Sequence, residues 1–353
     1  MPPPLSRGIS GPTCRRWLLS RGRALTLTLV LLAAWCVALP LNAAPGRPDL
    51  GRVILNGRPY LELAEWAAAN RLSVRWNPRS GEIRLTNRWA RLDFKADTQR
   101  VEHDGVILWL SYPILRTGDR LYVSQRDQES VLSPLMQPPR LPTGRKILTV
   151  ALNAGHGGKD PGNLAGARQE KLYVLQLALE LQLQLRRAGL KVVMIRDRDV
   201  FVPLEERPAI ARARAADLYI SLHYNATPGG DEAQGLETYC LTPAGSSSTN
   251  DRGGHGAGYL PGNRFDRENL RLAYEIHHSI LGQVEFTDRG VRHARFKELT
   301  LAQMPAVLLE GGFMNSREDG RKIFSITGRA RYAAAITDGI LAYKRLVERG
   351  LPE

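Results

Sequence analysis

Four polar side chains in this chain of 353 residues stand at the ends of apolar runs or at the start of a helical stretch. His156 follows the run 147–152 within "NAGHGGKDPG", His223 ends "DLYISLH", and Glu310 ends "AVLLE". Glu170 opens "QEKLYVLQLA". Two neutral imidazoles and one carboxylate suit Zn²⁺ with its fourth position left to water. A second carboxylate beside that water would act as its base. The glycines around His156 allow a sharp turn and leave room for a substrate.

The elements that must position these side chains read as strands alternating with helices from residue 147 onwards. "ILTVAL", "KVVMIR", "DLYISLH" and "AVLLEGG" are strand-like runs, and Leu172, Leu175, Leu179 and Leu183 recur at helical spacing between the first two. This alternation predicts an α/β fold, a mainly parallel twisted sheet with helices on both faces. Ligand sites in such sheets lie beyond the carboxyl ends of the strands. The sheet therefore brings the four side chains to one edge.

Each residue taken alone has a structural interpretation as well. A histidine after a buried strand is commonly a loop residue, and a glutamate at a helix start commonly complements the helix dipole. Glu310 differs because an unpaired carboxylate after Val307-Leu308-Leu309 would be costly to bury. The coincidence of all four at one sheet edge favours a functional site.

The region before residue 147 has a different character. Residues 45–133 alternate short apolar runs with turn pairs such as Asn56-Gly57 and Asp104-Gly105, which predicts a small mostly β (α+β) accessory domain. A proline-rich segment at 134–146 predicts a linker, and 147–353 the catalytic domain.

The first 44 residues predict an export leader. Five arginines without any acidic residue precede the uncharged stretch 24–41 and the small residues 42–44, which is typical of a signal peptide or a membrane anchor. The body is therefore expected in the periplasm or cell envelope, with membrane contact only if the leader is uncleaved. Cys240 alone remains in the body, which excludes an internal disulfide in the mature chain.

Charge indicates the class of partner. The net charge of +14 becomes +9 without the five leader arginines, which favours polyanions: nucleic acid, lipid head groups or a carboxylate-rich wall polymer. Export and the lack of a zinc-finger, homeodomain or RNA-binding signature argue against nucleic acid.

Five motifs together carry a resemblance: "GHGGKDPG", "QEKLYVLQLA", "SLHYNA", "RGVR" and "MPAVLLEGGFMNS". In order and spacing, residues 146–344 resemble the zinc-dependent N-acetylmuramoyl-L-alanine amidases of bacterial cell-wall turnover, also called amidase type 3. The resemblance implies His156, Glu170 and His223 as zinc ligands and Glu310 as the catalytic carboxylate. It implies hydrolysis of the amide between N-acetylmuramic acid and L-alanine in peptidoglycan, and leaves open an activator protein as a partner.

Two departures accompany the resemblance. Asn153-Ala154 stands where the family usually has Asp-Pro, and Asn315-Ser316 reverses its usual Ser-Asn. Loss of a carboxylate at 153 is expected to alter the surroundings that orient a metal ligand. The accessory domain loosely resembles the copper-amine-oxidase N-terminal-like module; it either positions the catalytic domain on the wall or a partner, or is a packing module without a ligand.

Two other functions stay open on the sequence. A non-catalytic wall-binding or regulatory homologue would be expected to lose a ligand or Glu310, and this chain keeps all four residues. A zinc peptidase or deacetylase acting on another wall bond would use the same chemistry. The polar segment 242–266 is a candidate lid, and His255 within it is expected to be a solvated loop residue rather than a metal ligand.

Overall fold

The computed structural model describes residues 51–227, 233–250 and 258–349. The predicted leader at 1–44, His255 and part of the predicted lid fall outside these ranges. The residues in these three ranges belong to one compact unit. Within the three ranges, no helix has both the length and the apolar character needed to cross a membrane.

The first part of the chain is built mainly from short strands joined by tight turns. Asn56 and Gly57 both have positive φ, 50° and 71°, as do Asp104 and Gly105, 49° and 84°, so each pair makes the kind of turn predicted for a hairpin. The elements are, in chain order, β1 (Arg52–Leu55), β2 (Arg58–Glu62), α1 (Leu63–Ala69), β3 (Ser73–Asn77), β4 (Glu82–Thr86), β5 (Arg91–Lys95), β6 (Arg100–His103), β7 (Val106–Trp109), β8 (Leu115–Thr117), β9 (Arg120–Ser124), α2 (Gln125–Asp127), a π-helical turn (Gln128–Leu132) and α3 (Ser133–Met136).

The second part alternates strands and helices, as its sequence predicts. Its elements are β10 (Thr149–Ala154), β11 (Leu164–Ala165), β12 (Arg168–Gln169), α4 (Glu170–Arg187), β13 (Lys191–Met194), α5 (Glu206–Ala213), β14 (Leu218–Asn225), β15 (Leu236–Leu241), a 3₁₀ turn (Pro261–Phe265), α6 (Asp266–Gln283), β16 (Asp288–Ala294), α7 (Lys297–Leu301), β17 (Ala306–Phe313), α8 (Arg317–Phe324) and α9 (Ile326–Arg349).

The central sheet of this second part has the order β13-β10-β14-β17-β15-β16. Every neighbouring pair is parallel except β15 and β17. Alternate residues of β10 face opposite sides: Val150 and Leu152 join a core with α4, α6 and α9, whereas Ala151 joins a second core with Ala211 of α5 and Leu299 of α7. The predicted α/β class, a mainly parallel sheet with helices on both faces, is confirmed.

The N-terminal strands extend this sheet. β7 pairs in parallel with β16 through Leu108 and Val291, and the order continues β7-β6-β5-β4-β3, while β1, β2, β9 and β8 form a separate sheet. Two side-chain contacts support the junction: Asp288 accepts a hydrogen bond from the amide of Ile107 (2.8 Å), and the Trp109 indole donates to the carbonyl of Arg289 (2.9 Å). The boundaries at 133 and 147 remain a prediction within one compact unit.

Helix α4 has the predicted type and position, but three of the four leucines at the predicted spacing are exposed, and only Leu175 packs partly against the core. Leu172, Leu179 and Leu183 are each more than 40% exposed. The buried face consists of Val174, Leu177, Ala178, Leu181 and Leu185, together with Glu170 at its start. Apolar residues line both sides of this helix, so the 3–4 spacing of four leucines does not identify the side that packs.

Candidate metal centre and catalytic carboxylate

Three of the predicted residues meet at the carboxyl edge of the sheet. His156 follows β10, Glu170 begins α4 and His223 lies near the end of β14, and their ligand-type atoms all lie within 4.8 Å of one another. The Glu170 carboxylate lies between the rings, with Oε2 at 3.1 Å from Nε2 of His156 and Oε1 at 3.0 Å from Nδ1 of His223. Two imidazole nitrogens and one carboxylate thus converge on a common point.

The loop after β10 is shaped to present His156. The backbone of His156 is left-handed (φ 60°), an uncommon conformation for a residue other than glycine. Nδ1 lies 2.8 Å from Oδ2 of Asp160, and because a carboxylate only accepts, this contact keeps a proton on Nδ1 and makes Nε2 the nitrogen that could bind a metal. A Cβ at Gly162 would lie 2.6 Å from both Oε2 of Glu170 and Cδ2 of His156, so only glycine lets these two groups approach.

Glu170 is held as an anion at this point. Its side chain is fully buried and accepts hydrogen bonds from the amide (2.8 Å) and side chain (3.0 Å) of Asn163 and from the amide of Tyr224 (3.1 Å). Burial alone would raise the pKa of Glu170, but hydrogen bonds from His156 and His223 and their charges outweigh it and hold that pKa well below the usual range. The carboxylate is therefore ionised at any physiological pH.

His223 is surrounded by carboxylates. Burial disfavours its charged form, but the hydrogen bond to Glu170 and the negative charges nearby outweigh this and raise the pKa of His223 to about 9. Its second nitrogen, Nε2, is buried without a hydrogen-bond partner among the residues described, and lies 4.0 Å from Oε2 of Glu298.

Glu310 lies directly beside His223. The two residues are register partners on the parallel strands β14 and β17, and Glu237 of β15 is the partner of Glu310 on its other side. Oε2 of Glu310 is buried and has no hydrogen-bond partner within the described part of the chain. Desolvation raises the pKa of Glu310 to about 8, with the carboxylates Glu170 and Glu237 adding to the rise and His223 opposing it. Glu310 is thus a carboxyl group able to exchange a proton near neutral pH.

Glu237 is buried, but unlike Glu310 it has hydrogen-bond partners on both oxygens. One oxygen accepts a hydrogen bond from Nε of Arg289 (2.8 Å) and the other from the hydroxyl of Tyr239 (2.8 Å). Arg292 is a second cation, 3.6 Å from the same carboxylate. Both oxygens of Glu237 are occupied, so the unpaired Glu310 is the carboxylate of this pair that is available for proton transfer.

Several residues that support the site were not found from the sequence. Buried Arg196 donates to the carbonyls of Ala154 (2.8 Å) and Gly155 (2.7 Å) and pins the loop that carries His156. Asp160 lies inside the motif that drew attention to His156 and could have been found from that position. Glu298 lies in "FKELTL", which carries no local signal.

The comparisons with known proteins identify the family. Residues 150–342 match the family described as N-acetylmuramoyl-L-alanine amidase (Amidase_3). The chain belongs to this family. It is 34% identical over 196 residues to the uncharacterized protein YqiI of Bacillus subtilis, covering 55% of this chain and 84% of YqiI. It is 32% identical over 230 residues to the N-acetylmuramoyl-L-alanine amidase AmiC of Neisseria meningitidis, covering 59% of this chain and 55% of AmiC.

Among solved structures, amidase AmiC2 of Nostoc punctiforme matches at 31% identity and a TM-score of 0.48, covering 57% of this chain and 98% of that chain. The predicted family and enzyme class, an N-acetylmuramoyl-L-alanine amidase, are confirmed by the family match. The match begins at residue 150, so the resemblance of the N-terminal region to a copper-amine-oxidase module stays a prediction.

Proposed function

We propose that this chain hydrolyses the amide between N-acetylmuramic acid and L-alanine in peptidoglycan, with His156, Glu170 and His223 holding Zn²⁺ and Glu310 transferring the proton. The observation that carries the proposal is the convergence of three metal-type donors beside Glu310, whose buried Oε2 has no hydrogen-bond partner among the described residues. Family membership selects this bond over the other wall bonds that a zinc hydrolase could cut.

The donor set fits Zn²⁺. Two imidazoles and one carboxylate are the ligands of many catalytic zinc sites. His156 and Glu170 also have hydrogen-bonded outer contacts of the kind that orient such ligands. Asp160 supports His156, and Asn163 supports Glu170. Zn²⁺ supplies Lewis acidity, which activates water near neutral pH and polarises the scissile carbonyl.

The protein's own part in the reaction is proton transfer by Glu310. As a carboxylate it takes a proton from the attacking water, whose oxygen joins the lactyl carbonyl carbon. The carbon–nitrogen bond then breaks, and Glu310 returns the proton to the nitrogen of L-alanine. A raised pKa suits both halves of this cycle, because a group that titrates near the working pH accepts and releases a proton readily.

The place of action follows from the substrate. We infer that the chain is exported and works in the periplasm or cell envelope, where peptidoglycan lies, and that its excess of basic residues favours a polymer with free stem carboxylates. An activator protein remains part of the proposal: the CwlD amidase of Clostridioides difficile, a structural match at 23% identity, was solved in complex with the GerS lipoprotein.

Mass spectrometry of the products released from purified sacculi tests the proposal. The protein with Zn²⁺ is expected to release stem peptides that begin with L-alanine, and a chelator or Glu310→Gln to abolish that release. Glu318→Gln is the matched control, because Glu318 is exposed and pairs across the surface with Arg321. Products with a different new terminus, or full activity in Glu310→Gln, would contradict the proposal.

A further inference from the structure

A buried carboxylate on the far side of His223 has no part in the mechanism described above. Glu298 is the second residue of α7 and is 3% exposed. It contacts Asn153 near the end of β10 and Ser221 within β14, and it faces Nε2 of His223, whereas Glu170 faces Nδ1.

The two oxygens of Glu298 have different partners. Oε1 accepts hydrogen bonds from the side-chain amide of Asn153 (2.9 Å) and from Nη1 of Arg207 (3.1 Å). Oε2 accepts from the hydroxyl of Ser221 (3.2 Å) and faces Nε2 of His223 at 4.0 Å. Arg207 is itself 1% exposed, so both charges of this ion pair lie away from water.

Stability alone is a weak reason for such a pair. Removing two charges from water costs several kcal/mol per ion, and a buried ion pair is often no more stable than apolar residues of similar volume. What the pair does provide is a negative oxygen at a fixed place beside Nε2 of His223, which has no hydrogen-bond partner in the part of the chain that the structure describes.

We propose that Glu298 is a positioning residue for the metal ligand His223. The 4.0 Å separation exceeds a hydrogen bond, so Glu298 acts through its charge. When the metal is bound, a negative oxygen facing Nε2 favours the tautomer with the proton on Nε2, which leaves the lone pair of Nδ1 for the metal. This role rests on the zinc site proposed above.

Asn153 completes the arrangement as a neutral donor. Its amide nitrogen lies 2.9 Å from Oε1 of Glu298 and 2.9 Å from the hydroxyl of Ser221. A carboxylate at 153 would place a second negative charge against Glu298 in a buried site, where like charges repel strongly. This buried cluster therefore holds one carboxylate, Glu298, and one amide, Asn153. Exchanging the two groups tests whether zinc affinity depends on their charges or on their shapes.

The experiment compares Glu298→Gln, Asn153→Asp and the double variant N153D/E298Q with the unmodified protein, with Glu318→Gln as the control for loss of one surface charge. Zinc affinity is measured by competition with a chromophoric chelator. The protonation of the His223 ring is read by ¹⁵N-histidine NMR of the zinc-loaded protein, a signal that a merely structural role would not change.

Glu298→Gln is expected to lose about 10- to 100-fold in zinc affinity and to weaken the Nε2–H signal of His223. Asn153→Asp is expected to lower the melting temperature, and the double variant to recover zinc affinity to within a few-fold. If Glu298→Gln does not fold, the double variant carries the test, because it keeps one carboxylate and one amide.

Unchanged zinc affinity and an unchanged ring signal in Glu298→Gln would overturn the assignment. So would a folded double variant whose zinc affinity stays about 10-fold or more below that of the unmodified protein. Zinc binding by the unmodified protein and by His156→Ala distinguishes failure of this positioning role from failure of the proposed function. If His156→Ala abolishes zinc binding while Glu298→Gln does not affect it, the positioning role alone is wrong. If the unmodified protein does not bind zinc, both are wrong.

Discussion

Gly155→Ala is the sharpest steric test of the proposed metal centre. A Cβ at Gly155 would lie 2.2 Å from Cε1 and 2.6 Å from Nδ1 of His223, and the φ of Gly155 is outside the left-handed region, so alanine is opposed by the ring rather than by the backbone. Ordinary carbon–carbon contacts are about 3.5–4.0 Å, so the ring must move by about 1.5 Å.

That displacement is large on the scale of metal coordination, where distances hold to about 0.2 Å. We expect Gly155→Ala to lower zinc affinity by about 100-fold or more and to destabilise the metal-free protein by about 1–3 kcal/mol through overpacking. Chelator competition measures the first quantity and urea unfolding the second.

Gly282→Ala is the matched control for Gly155→Ala. Gly282 lies in α6 and its Cβ would meet nothing within 4 Å, so this variant should bind zinc normally and gain about 0.5–1 kcal/mol from better helix propensity. A folded Gly155→Ala protein with normal zinc affinity would refute the placement of His223 as a ligand.

Three further predictions concern the coupling around the site. Trp109→Ala should destabilise the protein by about 2–4 kcal/mol in urea unfolding and lower kcat on sacculi. The reason is that the indole lies under the guanidinium of Arg292 (4.9 Å), where β7 pairs with β16. Unchanged stability would count against this prediction. Zinc should raise the melting temperature more at pH 8 than at pH 6, because the raised pKa of His223, about 9, makes the metal displace a proton; an equal shift at both pH values would contradict this. Glu237→Gln should shift the acidic limb of the pH profile of kcat/KM to lower pH by about one pH unit, because it removes a negative charge that raises the pKa of Glu310. A pH–rate profile measures this shift, and a shift to higher pH would contradict the prediction.

The fold could be predicted from the sequence wherever the pattern of apolar residues is compatible with a single arrangement of strands and helices. Alternating strands and helices after residue 147 require a mainly parallel sheet, and that sheet sends His156, His223 and Glu310 to one edge. Leu172 and its neighbours show the limit, because a helix with apolar residues on both sides does not reveal which side packs.

Contacts between residues far apart in the chain could not be predicted from the sequence. The pairing of β7 with β16 joins Leu108 to Val291 across more than 180 residues, and no local pattern announces it. Asn153 drew attention as a departure from its relatives, but its role depends on Glu298, which the fold brings to it from 145 residues away. The ligand-type residues stand next to motifs, whereas the groups that hold them come from distant parts of the chain.

A zinc-edge anomalous difference map from crystals of the zinc-loaded protein tests the central claim most directly. The account predicts one strong peak bounded by Nε2 of His156, the Glu170 carboxylate and Nδ1 of His223, with Glu310 next to it and not bonded to the metal. A peak bound by Glu310 in place of Glu170, or no peak among these residues in a protein that cleaves sacculi with zinc, would contradict it.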